Sequence, residues 1–304
     1  MTAPPDDTLL PAVPVTRFAP SPNGRLHLGH AYSALMCRHL SAGGTFLLRI
    51  EDIDLGRRRQ EFVDAIFEDL AWLGLKWPEP VLFQSERFDV YRSALDRLRK
   101  MNVVYPCWAT RRDIRAHVES LGRGADWPVD PDGALIYPGL FRDLDPSRRN
   151  DMMWEDTNYA WRLDMEAAMA VAQQKHGAPL SFTEASTGEK TPVAADLFGD
   201  VIIARKDIPT SYHLSVVVDD AAQNVNLVTR GMDLQPATHI HRVLQVLLDL
   251  PEPVYFHHPL IRHDTGKRLS KRAGDAGFAG WREAGKSPQA LMEALPPPIG
   301  GAGL

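Results

Sequence analysis

The stretch Thr16–His30, TRFAPSPNGRLHLGH, sets two prolines and two glycines around a pair of histidines, where an apolar run gives way to a helical pattern. Residues of this kind build a core poorly, because proline removes a backbone donor and glycine loses the most conformational freedom on ordering. The gain lies in the position. Read as strand, loop and helix start, the stretch falls where a parallel sheet takes its ligands, and the N–H groups of a helix start favour anions. Gly29 lets a phosphate come close. His27 and His30, three apart, face one side of the first turn and can both donate to phosphate oxygens. By itself the pair would serve equally as surface or capping histidines.

Outward from this loop, HAYSALMCRHLSAGG has apolar residues at helical spacing and stops on Gly43 and Gly44. TFLLRIEDID follows as a strand ending in acids, which completes one turn of a parallel α/β sheet. QEFVDAIFEDLAWLGL and RFDVYRSALDRLRKM are amphipathic helices. From Tyr105 towards Pro192 the pattern turns irregular and reads as an insertion between two halves of a sheet. Strand-like runs return in DVIIARKD, LSVVVDDA and VNLVTRG, and ATHIHRVLQVLLDL is a helix. The domain reading is a loose arm over 1–14, a first sheet half over 15–104, an insert over 105–195, a second half over 196–260, and a loop with a short C-terminal segment over 261–304.

The 304 residues are 44% hydrophobic and 24% charged, the balance of a soluble globular protein. No apolar run approaches the length that spans a bilayer, and the first fourteen residues lack the pattern of a secretory signal, so a cytoplasmic protein with no membrane partner is expected. A formal charge of −5 argues against non-specific coating of nucleic acid but leaves room for local basic stretches such as Arg57–Arg59 and Arg111–Arg112. Cys37 and Cys107 lie far apart and form no paired spacing, so neither a disulfide framework nor a cysteine-rich zinc site is indicated.

A second motif changes the weight of the first. GKRLSKR places Lys267, Arg268, Lys271 and Arg272 on a glycine-led loop, and lysine is a mobile point charge suited to phosphate on which charge builds. HLGH and RLSKR resemble the two signatures of class I aminoacyl-tRNA synthetases. RFAPSPNGRLHLGHAYSAL, LLRIEDID, SYHLSVVVDDA and TRGMDL resemble the glutamyl branch in particular, over most of Val15–Arg272 and in order. About thirty residues follow the second signature, whereas full glutamyl-tRNA synthetases continue into a helical anticodon-binding portion, and Val216 stands where that branch commonly has asparagine. Both features are similar to the short paralogues, the glutamyl-Q tRNA(Asp) synthetases.

The resemblance implies a Rossmann-like parallel-sheet catalytic domain with an inserted subdomain and no anticodon-binding domain. It implies a ligase that activates glutamate with ATP and passes it to queuosine at the wobble position of tRNA(Asp), whose anticodon stem-loop would be the partner of a monomeric enzyme. His27, Gly29, His30 and Lys271 would meet ATP, with Mg2+ carried by its phosphates. Arg17, Ala19, Ser21, Glu51, Tyr212 and Arg230 would form the glutamate pocket, the arginines on a carboxylate and Glu51 on the α-ammonium. Each also admits a plain structural role: Arg17 and Arg230 as ion-pair partners, Glu51 as a strand-end cap, Tyr212 as a core residue. Many relatives bind zinc in the insert, but here Ala109 and Phe141 replace two ligands and leave Cys107 and Tyr137. No zinc is expected, with Trp108 and Phe141 packing in its stead. The alternatives are a truncated glutamyl-tRNA synthetase charging a tRNA 3′ end and a catalytically silent tRNA-binding paralogue.

Overall fold

β1 (Val15–Phe18) runs into the proline-glycine loop, and α1 (Leu28–Leu40) carries the chain to β2 (Thr45–Ile50), which pairs parallel to β1 with Arg17 opposite Leu47. The fold is a computed structural model that describes residues 9–261 and 277–297. α2 (Gln60–Trp72) leads to a short β3 (Leu82–Phe83) parallel to β2, and α3 (Phe88–Lys100) then leaves this sheet. Gly44 ends the first helical crossover for a steric reason. A Cβ there would stand 1.9 Å from the Pro14 carbonyl oxygen, which accepts from Thr45 N.

The middle of the chain has more regular structure than its composition suggests. It forms β4 (Val104–Cys107), α4 (Arg111–Ser120), α5 (Pro146–Glu155), β5 (Ala160–Leu163), α6 (Met165–His176), the hairpin β6 (Ser181–Thr183) and β7 (Lys190–Pro192), and β8 (Ile202–Ala204). β4, β5 and β8 make a separate antiparallel sheet, so the DVIIARKD strand pairs with the insert. Cys107 Sγ lies 3.4 Å from the Tyr137 hydroxyl and accepts from Arg162 Nε at 3.4 Å, while the Arg162 guanidinium stacks 3.9 Å over the Tyr137 ring. The Trp108 and Phe141 rings meet at 5.5 Å. Among the described residues no group of three or more His, Cys, Asp or Glu is placed to hold a metal.

The chain returns through α7 (Tyr212–Ala222), β9 (Leu227–Gly231), α8 (Ala237–Leu247) and β10 (Val254–His258), with β9 and β10 parallel and Arg230 opposite His257. β9 lies beside β1: Asn226 N donates to the Val15 carbonyl at 3.2 Å, and Val15 N donates to the Asn226 side chain at 2.7 Å. The spatial order is therefore β3-β2-β1-β9-β10. Chain order reverses between β1 and β9, which is where a doubly wound sheet opens its ligand crevice. Two short helices, α9 (Phe278–Glu283) and α10 (Pro288–Glu293), close the described chain, with Phe278 and Leu291 fully buried.

Two expectations need correction. LSVVVDDA is not a strand: it lies within α7, started by the Ser211 side chain, which accepts from Leu214 N. Every residue from Leu214 to Asp220 is buried, so no polar face betrays the helical period and the β-branched run reads like a strand. Nor is all of the 1–14 arm loose. Leu9 N donates to Ala185 O, and Val13 O accepts from the Asn226 side chain, because the strands it precedes need their flanking groups satisfied.

The buried acids of α7 join elements far apart in sequence. Asp220 accepts from Arg17 Nε at 2.8 Å and from Arg49 Nη2 at 2.5 Å, and Asp219 accepts from Arg87, Gln84 and the Tyr91 hydroxyl at 2.7–2.8 Å. Removing one partner of such a pair leaves buried charge uncompensated. Asp220→Asn is expected to cost about 3–5 kcal/mol, read as a lowered urea midpoint at constant slope; a midpoint matching wild type would contradict the structural role.

Candidate active site

At the β1/β9 crevice a cleft of about 550 Å³ opens over the carboxyl ends of the strands. Arg17, Ala19, Ser21, His27, Gly29, His30, Glu51, Tyr212 and Arg230, nine of the ten residues singled out in the sequence, all line it. The tenth, Lys271, lies outside the described residues, as do Lys267, Arg268 and Arg272. The described residues on either side of that segment both reach the cleft: Ile261 lines it, and Gly277 forms a bridge to His27.

The opening loop is held by its prolines as carbonyl acceptors. Glu51 N donates to Pro20 O at 3.0 Å and Arg59 N to Pro22 O at 3.2 Å, which ties the loop to the end of β2 and the start of α2. The histidines then form a reciprocal cap on α1. His27 Nδ1 accepts from Gly29 N at 3.1 Å, His30 Nδ1 accepts from His27 N at 3.1 Å, and the ring centroids stand 3.7 Å apart with the planes tilted by 39°. A nitrogen that accepts a backbone N–H carries no proton, so in each neutral ring the proton sits on Nε2. Capping and ligand binding are thus compatible uses of one pair. Gly29 also makes room for the cap itself, since a Cβ there would stand 3.0 Å from the His27 ring.

The two arginines are built differently. Arg17 is 4% exposed and pairs with Asp220 through Nε and Nη2, with Nη1 on the Thr229 carbonyl at 3.2 Å. Burial would lower its pKa, but the adjoining carboxylate more than reverses this. Arg230, equally buried, is held by neutral groups: Nη1 donates to the Tyr212 hydroxyl at 3.2 Å and to His241 Nδ1 at 3.1 Å, and Nη2 donates to Thr238 Oγ1 at 2.6 Å. Burial and the Arg230 charge push His213 down to about 4 and His241 well below its usual range, so both rings are neutral near pH 7. Among the described residues no carboxylate is paired with Arg230, which leaves a cation at the wall of the cleft.

Glu51 faces this wall. Burial raises its carboxyl to about 7, against the opposing pull of Arg49 and Arg17. Asp220, which orients Arg17, and Arg49, whose charge favours ionised Glu51, escaped the sequence reading; an unbroken acid pair at the end of VVVDD was the available signal. Of the basic stretches, Arg57 and Arg58 pair with Asp54 and Asp52 at 3.4 and 3.1 Å, and Arg111 and Arg112 are exposed at the start of α4.

A doubly wound sheet whose switch-point cleft carries a capped histidine pair, a half-buried acid and a charged arginine has the plan of a class I aminoacyl-tRNA synthetase. The profile of the class I tRNA synthetases for E and Q, catalytic domain, matches residues 14–296, and the chain belongs to that family of ligases. It is 46% identical over 276 residues to the glutamyl-Q tRNA(Asp) synthetase of Rhodobacter capsulatus, covering 90% of this chain and 96% of that one. It is 35% identical to the glutamate–tRNA ligase of Aquifex aeolicus, covering 92% of this chain but 56% of the ligase. The crystal structure of glutamate-tRNA synthetase from Elizabethkingia anophelis superimposes with a TM-score of 0.72 at 26% identity, over 91% of this chain and 60% of that one. The chain thus spans about three fifths of that solved synthetase. No described helix is long and apolar enough to cross a membrane.

A raised acid pKa means that ionisation works against the fold: the cost is absent below the usual value of 4.5 and complete above about 7. Glu51→Gln is expected to be stability-neutral at pH 4.5 and stabilising by about 1–2 kcal/mol at pH 8, because the open cleft screens part of the full shift. Urea midpoints at the two pH values check this, and a pH-independent difference would refute it.

Proposed function

We propose that the protein activates glutamate with ATP and transfers it to queuosine at the wobble position of tRNA(Asp). The observation that carries this reading is the 46% identity to a glutamyl-Q tRNA(Asp) synthetase over 96% of its length, combined with a cleft in which a charged arginine faces an acid. In the first step an oxygen of the substrate α-carboxylate attacks the α-phosphorus of ATP, the bond to the β,γ-phosphates breaks, and glutamyl-adenylate and pyrophosphate form. In the second, a hydroxyl of the nucleoside attacks the acyl carbon, and AMP leaves.

Neither step needs a protein nucleophile. They need two anions brought together and the departing charge neutralised. The Nε2–H groups of His27 and His30 supply donors at the start of α1, whose backbone favours phosphate. Arg230 takes the side-chain carboxylate, and Tyr212 shapes the pocket beside it. Glu51 meets the α-ammonium, whose charge would draw the carboxyl back to its ionised form. Ala19 and Ser21, on the opening loop, would complete the glutamate pocket. Lys271 follows the pyrophosphate, and the positions of Ile261 and Gly277 at the cleft support that role. Mg2+ would be carried by ATP phosphates and water, where it would shield their charge.

Glutamate-dependent exchange of labelled pyrophosphate into ATP tests the first step. Lys271→Ala and His30→Ala are each expected to lower exchange by about 100-fold or more, with His30→Ala also losing about 1 kcal/mol of stability from its cap. Wild-type exchange rates in both would overturn the assigned roles. The acceptor is tested with tRNA(Asp) carrying or lacking queuosine. Transfer only to the modified tRNA is expected; charging of a 3′ end would identify a truncated glutamyl-tRNA synthetase instead, and no exchange at all a silent binder.

A further inference from the structure

The acceptors around Arg230 have a direction that geometry fixes. Arg230 Nε donates to His257 Nε2 at 3.3 Å, and the Thr238 hydroxyl, which accepts from Arg230 Nη2, lies 3.3 Å from the same nitrogen. An imidazole nitrogen on which N–H and O–H donors converge carries no proton, so the His257 proton sits on Nδ1. That nitrogen donates to Glu184 Oε2 at 2.7 Å. Glu184 Oε1 accepts from the His257 backbone N–H at 3.2 Å and from the Ser186 hydroxyl at 3.0 Å. Glu184 follows β6 in the insert and is bridged to Tyr255 of β10, so an inserted segment reaches the back of the site. Burial disfavours its charged form, but the His257 donors more than offset that and hold its carboxyl below the usual range.

We infer that Glu184 and His257 are positioning residues for Arg230. Glu184 holds the imidazole in the tautomer that accepts from the guanidinium, and the neutral ring keeps the balancing negative charge one side chain away. Arg230 thereby stays available to a substrate carboxylate; the inference rests on the reading that this substrate is glutamate. A carboxylate placed directly on Arg230, as Asp220 is on Arg17, would neutralise the charge the substrate needs. With no counter-charge the guanidinium would be buried uncompensated. The Glu184–His257 pair satisfies both constraints; on the other side of the guanidinium His241 accepts at Nδ1, so its Nε2 proton faces His213 Nδ1 at 3.3 Å.

A histidine-selective nitrogen-15 spectrum of the full chain, combined with calorimetric binding of glutamate and of ATP, tests this. Wild-type His257 is expected to be protonated at Nδ1. Glu184→Gln, whose amide oxygen still accepts from Nδ1 but carries no charge, is expected to keep that tautomer and to weaken glutamate by about tenfold or more, with ATP affinity held within about twofold. His257→Gln can present an acceptor to Arg230 and a donor to Glu184, so it is expected to stay within about threefold of wild type for glutamate, whereas His257→Leu loses about tenfold. These two variants keep the test available where Glu184→Gln compromises folding. A wild-type His257 protonated at Nε2 overturns the inference whether or not the protein is active, and so does unchanged glutamate affinity in folded Glu184→Gln or His257→Leu. A wild-type protein that does not bind glutamate refutes the functional reading, while the tautomer still decides the relay.

Discussion

Asp220 is one carboxylate between two guanidiniums, from Arg17 on β1 and Arg49 on β2, and it lies on a helix that the chain reaches only after the whole insert. Burying three charges together is tolerable because the acid accepts from both arginines, Arg17 bidentately, while further Arg17 and Arg49 donors go to the Thr229 carbonyl and Gln223. The consequence is geometric. The interaction clamps the two halves of the sheet at the point where strand order reverses, and so determines where the cleft can open.

The same ion pair sets the electrostatics of the site. Arg17 is compensated within the protein, so its charge serves the fold first. Arg230 is surrounded by a phenol, a hydroxyl and imidazoles that burial keeps neutral, so its charge faces the cleft. Glu51, desolvated and raised to about 7, is an acid held ready to ionise beside a cation. A cation and an acid that titrates near neutrality line one cleft; under the proposed function Arg230 would meet a carboxylate side chain and ionised Glu51 the α-ammonium.

The histidine pair illustrates economy of another kind. Each ring uses Nδ1 to satisfy a backbone donor of the first helical turn, and that commitment places the proton on Nε2. Helix start and donor orientation are therefore one arrangement. The insert, which composition suggests is peripheral, contributes Glu184 behind the sheet and reaches the site through β10.

The sequence by itself determined the local pieces, the amphipathic helices α2 and α3 and the strand-loop-helix order around HLGH, because these rest on short-range periodicity; the nine residues that line the cleft came from resemblance to a family's motifs. It misjudged α7, where complete burial erases the helical period, and the residues 9–14, where Leu9 and Val13 are anchored to Ala185 and Asn226, far away in the chain. Only the tertiary structure decided which arginine is neutralised and which stays charged. Arg17 and Arg230 look alike in a sequence, and the difference between them is whether a carboxylate or an imidazole is folded against the guanidinium, which depends on Asp220, Glu184 and His257 arriving from distant segments.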